Sequence, residues 1–396
     1  MWDRGRPLSL WGCLWNAIQS LRPAFSNQIT FMWFSTVVAG MIVRTDLLGV
    51  TSIVRALNLR PELYHALLRL FHSTAVKLDR LTALWAHAVL LLFPSPVRVN
   101  SRLVLVGDGV KIPKRGKKMP AVKLLYQQSE SNTKPEYIMG HSLQAVSLLV
   151  DAAQSVFAVP LAARIHEGLV WSKKIKVKSL LSDPNSMQQT RSPVYGEHKV
   201  MLRYRVCDLL WRPAGQLVRF VAVIHPTRGP LLLMCTDLSL EAIDIIRLYG
   251  LRFKIEHSFK QAIRLIGSFA YHFWMKAMVP LRHRNGNQYL HRQSAGYRDQ
   301  VKRKVAAYHV FIQAAVIVQG LLQYLAVVAP KLVWGSFRSW LRTIRPGIPP
   351  SELVVAQALR QTLPDFLLVS SKVCALAKFI ADRQNTHKMT IFRLTA

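Results

Sequence analysis

The sequence predicts an α/β protein of two or three subdomains, and three observations carry that expectation. Residues 1–95 read as helical, residues 101–169 are β-rich, and the stretch from about residue 286 to 383 reads as helical again. At 396 residues the chain exceeds the size at which one core usually suffices, and at 51% hydrophobic it can bury a sizeable one.

Lysine and arginine number 53 against 20 acids, a net charge of +33 spread along the whole chain. That excess is unusual for a metabolic enzyme and natural for a protein that holds nucleic-acid phosphates. The four cysteines, Cys13, Cys207, Cys235 and Cys374, show no CxxC or CxxH spacing, which argues against a zinc module and suits a reducing compartment. The N-terminal MWDRGRPLSLWGCLWNAI lacks a continuous apolar core and a small-residue cleavage site, so no secretory signal and a cytoplasmic location are expected. The apolar run at 305–329 is interrupted by His309, Gln313, Gln319 and Gln323, and is expected to be a buried helix and not a membrane span.

Taken in order, residues 52–72 suggest helix, turn and helix around Asn58-Leu59-Arg60-Pro61, with Arg55, Arg60, Arg69 and Lys77 available to phosphates. Pro94 to Asn100 breaks the helical pattern. Val104-Leu105-Val106 then reads as a short strand ending at Gly107-Asp108-Gly109, which sets one acid at a strand end. Lys111, Lys114, Arg115, Lys117, Lys118 and Lys123 follow. An acid beside a basic loop suits a metal-assisted site acting on a polyanion; a turn aspartate in a solvated loop is an equal alternative.

Runs at 137–141, 145–150 and 156–163 predict successive strands, with Asp151 in a hairpin turn over 151–154. Lys199–Leu210, Gln216–His225 and Pro230–Cys235 predict an antiparallel meander decorated by Arg203, Arg205, Arg212, Arg219 and Arg228. Its last strand ends near Asp237, with Ser239 expected to cap a helix over Leu240–Leu248. Gly250 permits a bend into a second helix. On a continuous helix Tyr249, Arg252, Glu256 and Lys260, with Arg264 beyond, would share one stripe. Such a stripe is either i,i+4 ion pairing or part of a site. Phe269, Tyr271, Phe273 and Trp274 precede a basic stretch to Lys304, a pairing that can stack splayed bases, though such aromatics are more often core.

The strand end GDG, the tract KKMPAVKLLYQQSESNTKPEYIMGHS and the segment YGLRFKIEHSFKQAIRLIGSFAYHFWM together resemble bacterial insertion-sequence DDE transposases, in the cut-and-paste group with a Tyr-Arg-Glu-Lys signature. The likeness runs from roughly residue 30 to 370. It implies an RNase H-like mixed-sheet core with a β-rich insertion, flanked by helical N- and C-terminal regions. The implied divisions are 1–95, a helical and DNA-binding region; 96–170, the first part of the core; 171–234, a shortened insertion; 235–285, the final strand and catalytic helix; and 286–396, helical.

The resemblance implies cleavage and joining of DNA strands with two Mg2+ or Mn2+ ions held by carboxylates. Asp108 is the first acid and Glu256 the last. Tyr249 and Arg252 are signature contacts to DNA, with Lys260, Arg264, Lys111, Lys114, Lys117 and Lys118 as further contacts. It also implies double-stranded DNA partners (terminal inverted repeats and target), a homodimer on DNA, no membrane, and a bacterial, nucleoid-associated cytoplasmic setting.

Two departures stand out. Ile263 occupies the position of the signature lysine, for which Lys260 or Arg264 can substitute. After FAVPLAARIHEGLVWS the chain passes into Lys173-Lys174-Ile175-Lys176, where the family carries a strand ending in its second aspartate. An internal block is therefore missing. Asp237 is the best replacement, with Asp183 and Asp151 weaker; a protein one acid short is expected to bind its ions poorly. The alternative reading is a non-catalytic, basic DNA-binding remnant.

Overall fold

The computed structural model describes residues 9–47, 49–127, 135–152, 155–170, 187–194, 196–197, 199–211, 216–271, 274–282, 284–339 and 344–385. The turns read at 153–154 and 212–215, Asp183, and Phe273 lie outside them. The chain is mixed α/β, 47% helical and 25% strand, with several small sheets. It divides into two compact units, Met1–Trp171 with Ile255–Ala396, and Ser172–Lys254.

The first unit begins with five helices: α1 (Leu10–Gln19), α2 (Gln28–Val43), α3 (Gly49–Ala56), α4 (Tyr64–His72) and α5 (Leu78–Leu92). Local chemistry starts them. Ser9 Oγ accepts from the Gly12 N–H at α1, and Asn27 Oδ1 accepts from the Thr30 N–H at α2. Helix α2 is apolar almost all round and is buried accordingly. Asn58, at φ 49°, ends α3, and Pro61 opens the 3-10 turn that leads into α4.

The strands follow: β1 (Arg98–Val99), β2 (Arg102–Leu103), β3 (Leu105–Pro113), β4 (Lys123–Tyr126), β5 (Tyr137–Ala152), β6 (Ser155–Ile165) and β7 (Leu169–Val170). The 16-residue β5 is the spine, pairing antiparallel with β3, with β4 and with β6. The expected strands at 137–141 and 145–150 are thus one strand, because Gly140 lets the backbones close in. A Cβ there would lie 2.3 Å from the Ile112 carbonyl oxygen. Asp151, expected in the hairpin turn, lies instead within β5 and pairs with Val156 of β6.

One expectation is corrected here. Strand β3 does not end at Gly107-Asp108-Gly109 but runs through it for nine residues. Val106 and Ile112 are buried on the face that Asp108 shares, and every residue from Leu105 to Pro113 has a partner on β5. The alternation outweighs the glycines. All pairings of this sheet are antiparallel, and the one parallel pair among the described strands is β7 with β12 (Gln288–Tyr289).

The C-terminal helices are α8 (Ala295–Val328), α9 (Pro330–Ser336), α10 (Glu352–Ser370) and α11 (Ala375–Ala381). Helix α8 has the length and hydropathy of a membrane span, yet 94% of its apolar window is buried inside the fold. Its polar residues explain the difference. Gln313 donates to the Leu161 carbonyl at 2.9 Å, Gln323 to Ala158 at 3.2 Å, and Gln319 to the Ser258 carbonyl at 2.9 Å. His309 accepts from the Ile165 N–H, and Trp85 of α5 donates to the Pro160 carbonyl. Helix side chains therefore satisfy backbone groups of β6 that no strand pairs, which is where Pro160 is tolerated.

The second unit is the expected meander: β8 (Gln188–Arg191), β9 (Met201–Trp211), β10 (Gln216–His225) and β11 (Gly229–Cys235), in the order β11-β10-β9-β8. Gly229, at φ 79°, makes the turn before β11. Helix α6 (Ala242–Gly250) also belongs to this unit, although 235–285 was expected to complete the core. It starts two residues later than expected. Ser239 does not cap it, because its N–H and Oγ are both turned to Asp237.

Candidate nucleic-acid interface

The loop after β3 is the first piece of the candidate interface, and its lysines have different fates. Lys114 does not face solvent. It is 5% exposed, and its ammonium group donates to the carbonyls of Phe269 and Tyr271 and lies 5.2 Å from the Tyr308 ring. Burial lowers its pKa to about 7. The expected DNA contact at Lys114 is thus corrected to a buried clamp. Lys111 donates to the Tyr126 carbonyl at 2.6 Å along the sheet, whereas Arg115 and Lys117 are exposed and Lys118 is half-buried.

What fixes the loop is a set of bonds from far along the chain. The Met275 N–H donates to the Lys118 carbonyl at 3.0 Å and the Leu281 N–H to Lys117 at 2.7 Å. Gln288 donates to the carbonyls of Met119 and Val122 and accepts from the Ala121 N–H. His141 bonds the Pro120 carbonyl, and Lys123 is paired with Glu167. Segments around 115–118 and 274–281 are thereby one ordered edge, with Lys118 Nζ reaching the Lys276 carbonyl at 3.3 Å.

The segment that leads there descends from α7 (Phe253–Gln261) through a π turn at Ala262–Ile266 to Gly267, at φ 65°. A helix end with unmatched carbonyls attracts cations. Buried Arg44 supplies one, donating to the carbonyls of Ile266 and Gly267 and to Gly49 and Ser52. Burial holds its pKa down at about 10. Lys114 supplies the second cation two residues on.

The expected Tyr-Arg-Glu-Lys stripe is broken. Helix α6 ends at Gly250, α7 starts at Phe253, and the Arg252 N–H bonds back to the Tyr249 carbonyl, so the two helices are not one cylinder. Tyr249 and Arg252 belong to the second unit, where the guanidinium stacks 5.0 Å over the phenol ring. Glu256, Lys260 and Arg264 belong to the first and are exposed, as is Ile263.

The expected acids stand in different local settings. Asp108 is half-buried on β3, its Oδ1 accepting from the Gly109 N–H at 2.8 Å. Asp237 is 7% exposed, and its Oδ1 takes both the N–H and the hydroxyl of Ser239, the role of a turn aspartate. No group of three or more His, Cys, Asp or Glu side chains able to hold a metal comes together among the described residues. Hard divalent ions need several oxygen ligands gathered at one place.

The sheet of the second unit handles its charge differently. Arg219 makes a two-pronged pair with Asp208, at 2.8 and 2.7 Å, and donates to the Leu240 carbonyl. Arg228 pairs with Glu197 at 2.7 Å, and His225 with the same carboxylate at 3.0 Å. Arg55 and Arg60, expected to face phosphates, lie 2.6 Å from Asp46 and 3.8 Å from Glu62.

Compared with known proteins, the chain matches no protein-family model and no curated protein sequence.

Proposed function

We propose that the chain is a DNA-binding protein of DDE-transposase descent that holds duplex DNA through phosphate contacts and does not cut it. One observation carries the reading. Three stretches far apart in sequence assemble one basic face: the backbone carbonyls of Lys117 and Lys118 accept from the Leu281 and Met275 N–H groups, Lys118 Nζ reaches the Lys276 carbonyl, and Arg303 and Lys304 line the cleft that Lys276 shares. None of these five cations has a carboxylate at ion-pairing distance among the described residues. Like charges gathered without acids repel one another and are relieved by a polyanion.

The RNase H-like ancestry is part of the proposal, and what supports it is the antiparallel pairing of β3 and β6 on either side of β5. The missing carboxylate makes the catalytic reading the poorer one, since two-ion phosphodiester chemistry depends on a complete oxygen set. The test is a duplex gel shift beside a nicking assay on supercoiled plasmid with Mg2+ or Mn2+. Salt-sensitive binding without metal-dependent nicking is expected. Nicking that Asp108→Ala abolishes would restore the catalytic reading, and no binding at low salt would end both.

A further inference from the structure

The edge formed by 274–277 and the N-terminal turns of α8 encloses an open cleft of about 880 Å³. Its lining combines the exposed indole of Trp274 with the cations Lys276, Arg303 and Lys304, and with His72 and Gln300. Trp274 is 56% exposed, and its ring edge comes close enough to the 115–118 loop that a Cβ on Gly116 would lie 3.7 Å away. Large aromatics left open on a folded surface are uncommon, and this one stands among positive charges.

We propose that this cleft binds an unpaired nucleotide of single-stranded DNA, with the base stacked on Trp274 and the flanking phosphates held by Lys276, Arg303 and Lys304. The inference rests on the DNA-binding reading and adds a preference for unstacked bases. Duplex DNA offers phosphates but no free base face, whereas a strand end, a gap or an opened pair offers both. Charge fits the occupant. The acid nearest this stretch of α8 in sequence, Asp299, pairs with Lys302 at 3.7 Å. The pKa of His72 is lowered by partial desolvation and by the nearby charge of Lys304.

The dimensions suit one or two nucleotides, since aromatic stacking plus a basic groove is how sequence-tolerant single-strand sites are built. Aromatic residues near the cations were noted in the sequence, but only the fold brings His72 and residues 300–304 to Trp274.

The experiment measures fluorescence anisotropy of a labelled oligothymidine and of a labelled duplex of equal length, each titrated with the full chain and its variants at one salt concentration. Trp274→Ala is expected to weaken single-strand binding by about tenfold while leaving duplex binding within about twofold, and Trp274→Phe to restore most of the loss. Because the residue is exposed, the fold is not at stake. Unchanged single-strand binding in Trp274→Ala, with the duplex still bound, overturns this inference and leaves the DNA-binding reading standing. Equal losses on both probes also overturn it, since the indole would then serve phosphate binding in general. Failure of the wild-type chain to bind either probe overturns both readings.

Discussion

The four-stranded meander and the face around the 115–118 loop both carry cations, and they differ in what stands opposite. In the meander Arg219 meets Asp208, and Arg228 and His225 share Glu197. Around the loop, Lys117, Lys276, Arg303 and Lys304 meet no carboxylate among the described residues, while Arg44 and Lys114 are turned inward onto carbonyls. Net charge alone does not separate these cases. Where a cation is already answered it stabilises the fold; where it is not, it is available to a ligand.

The largest effect that would break this comparison is inside the fold. Arg44→Met leaves the carbonyls at the end of the α7 segment without their donor, and a loss of roughly 3 kcal/mol or more is expected in chemical denaturation. An unchanged midpoint would mean the clamp is dispensable. Next comes Gly140→Ala, whose Cβ would meet the Ile112 carbonyl. A loss of about 2 kcal/mol is expected, with β3 amides near Ile112 exchanging faster with solvent.

A pH titration sharpens the inward-facing group. Lys114 has its folded pKa lowered to about 7 by burial, below its unfolded value, so below about 7 the folded state bears the full penalty of burying the charge. Between there and the unfolded value the unfolded chain binds more protons, and stability rises with pH by up to about 1.4 kcal/mol per unit. Lys114→Met should flatten thermal stability over that window; a slope equal to the wild type's would remove Lys114 as its source. The smallest effect is Arg219→Ala in the meander. About 1 kcal/mol of stability is expected to go, with duplex affinity unchanged. A fall in affinity without loss of stability would place that sheet on DNA.

Much of the fold was legible because its signals are local. The meander announced itself by β-branched runs and glycine-bearing turns, and the buried nature of α8 by three glutamines in an apolar run. The site was legible less evenly. Gly107-Asp108-Gly109 looked like a strand end because glycines punctuate, yet pairing with β5 carries the strand through them. The stripe from Tyr249 to Lys260 assumed one helix, and a two-residue break at Leu251–Arg252 removes that geometry. Lys114 could not be told from Lys117 without knowing which carbonyls stood near. The cleft at Trp274 was illegible for a plainer reason: its lining comes from residues 72, 274–277 and 300–304, and no spacing in sequence reports that meeting.

The central claim, that the basic face around the 115–118 loop holds duplex phosphates, is tested most directly by the salt dependence of duplex affinity. The wild-type chain is compared with Lys117→Glu/Lys118→Glu/Lys276→Glu. Each phosphate contact contributes about −0.9 to the slope of log affinity against log salt, so the wild type should be steep, roughly −4, and the variant shallower by roughly two to three. Its affinity at low salt should fall by about a hundredfold. Equal slopes and affinities for the two proteins would contradict the account, because the DNA would then be held by some other part of the chain.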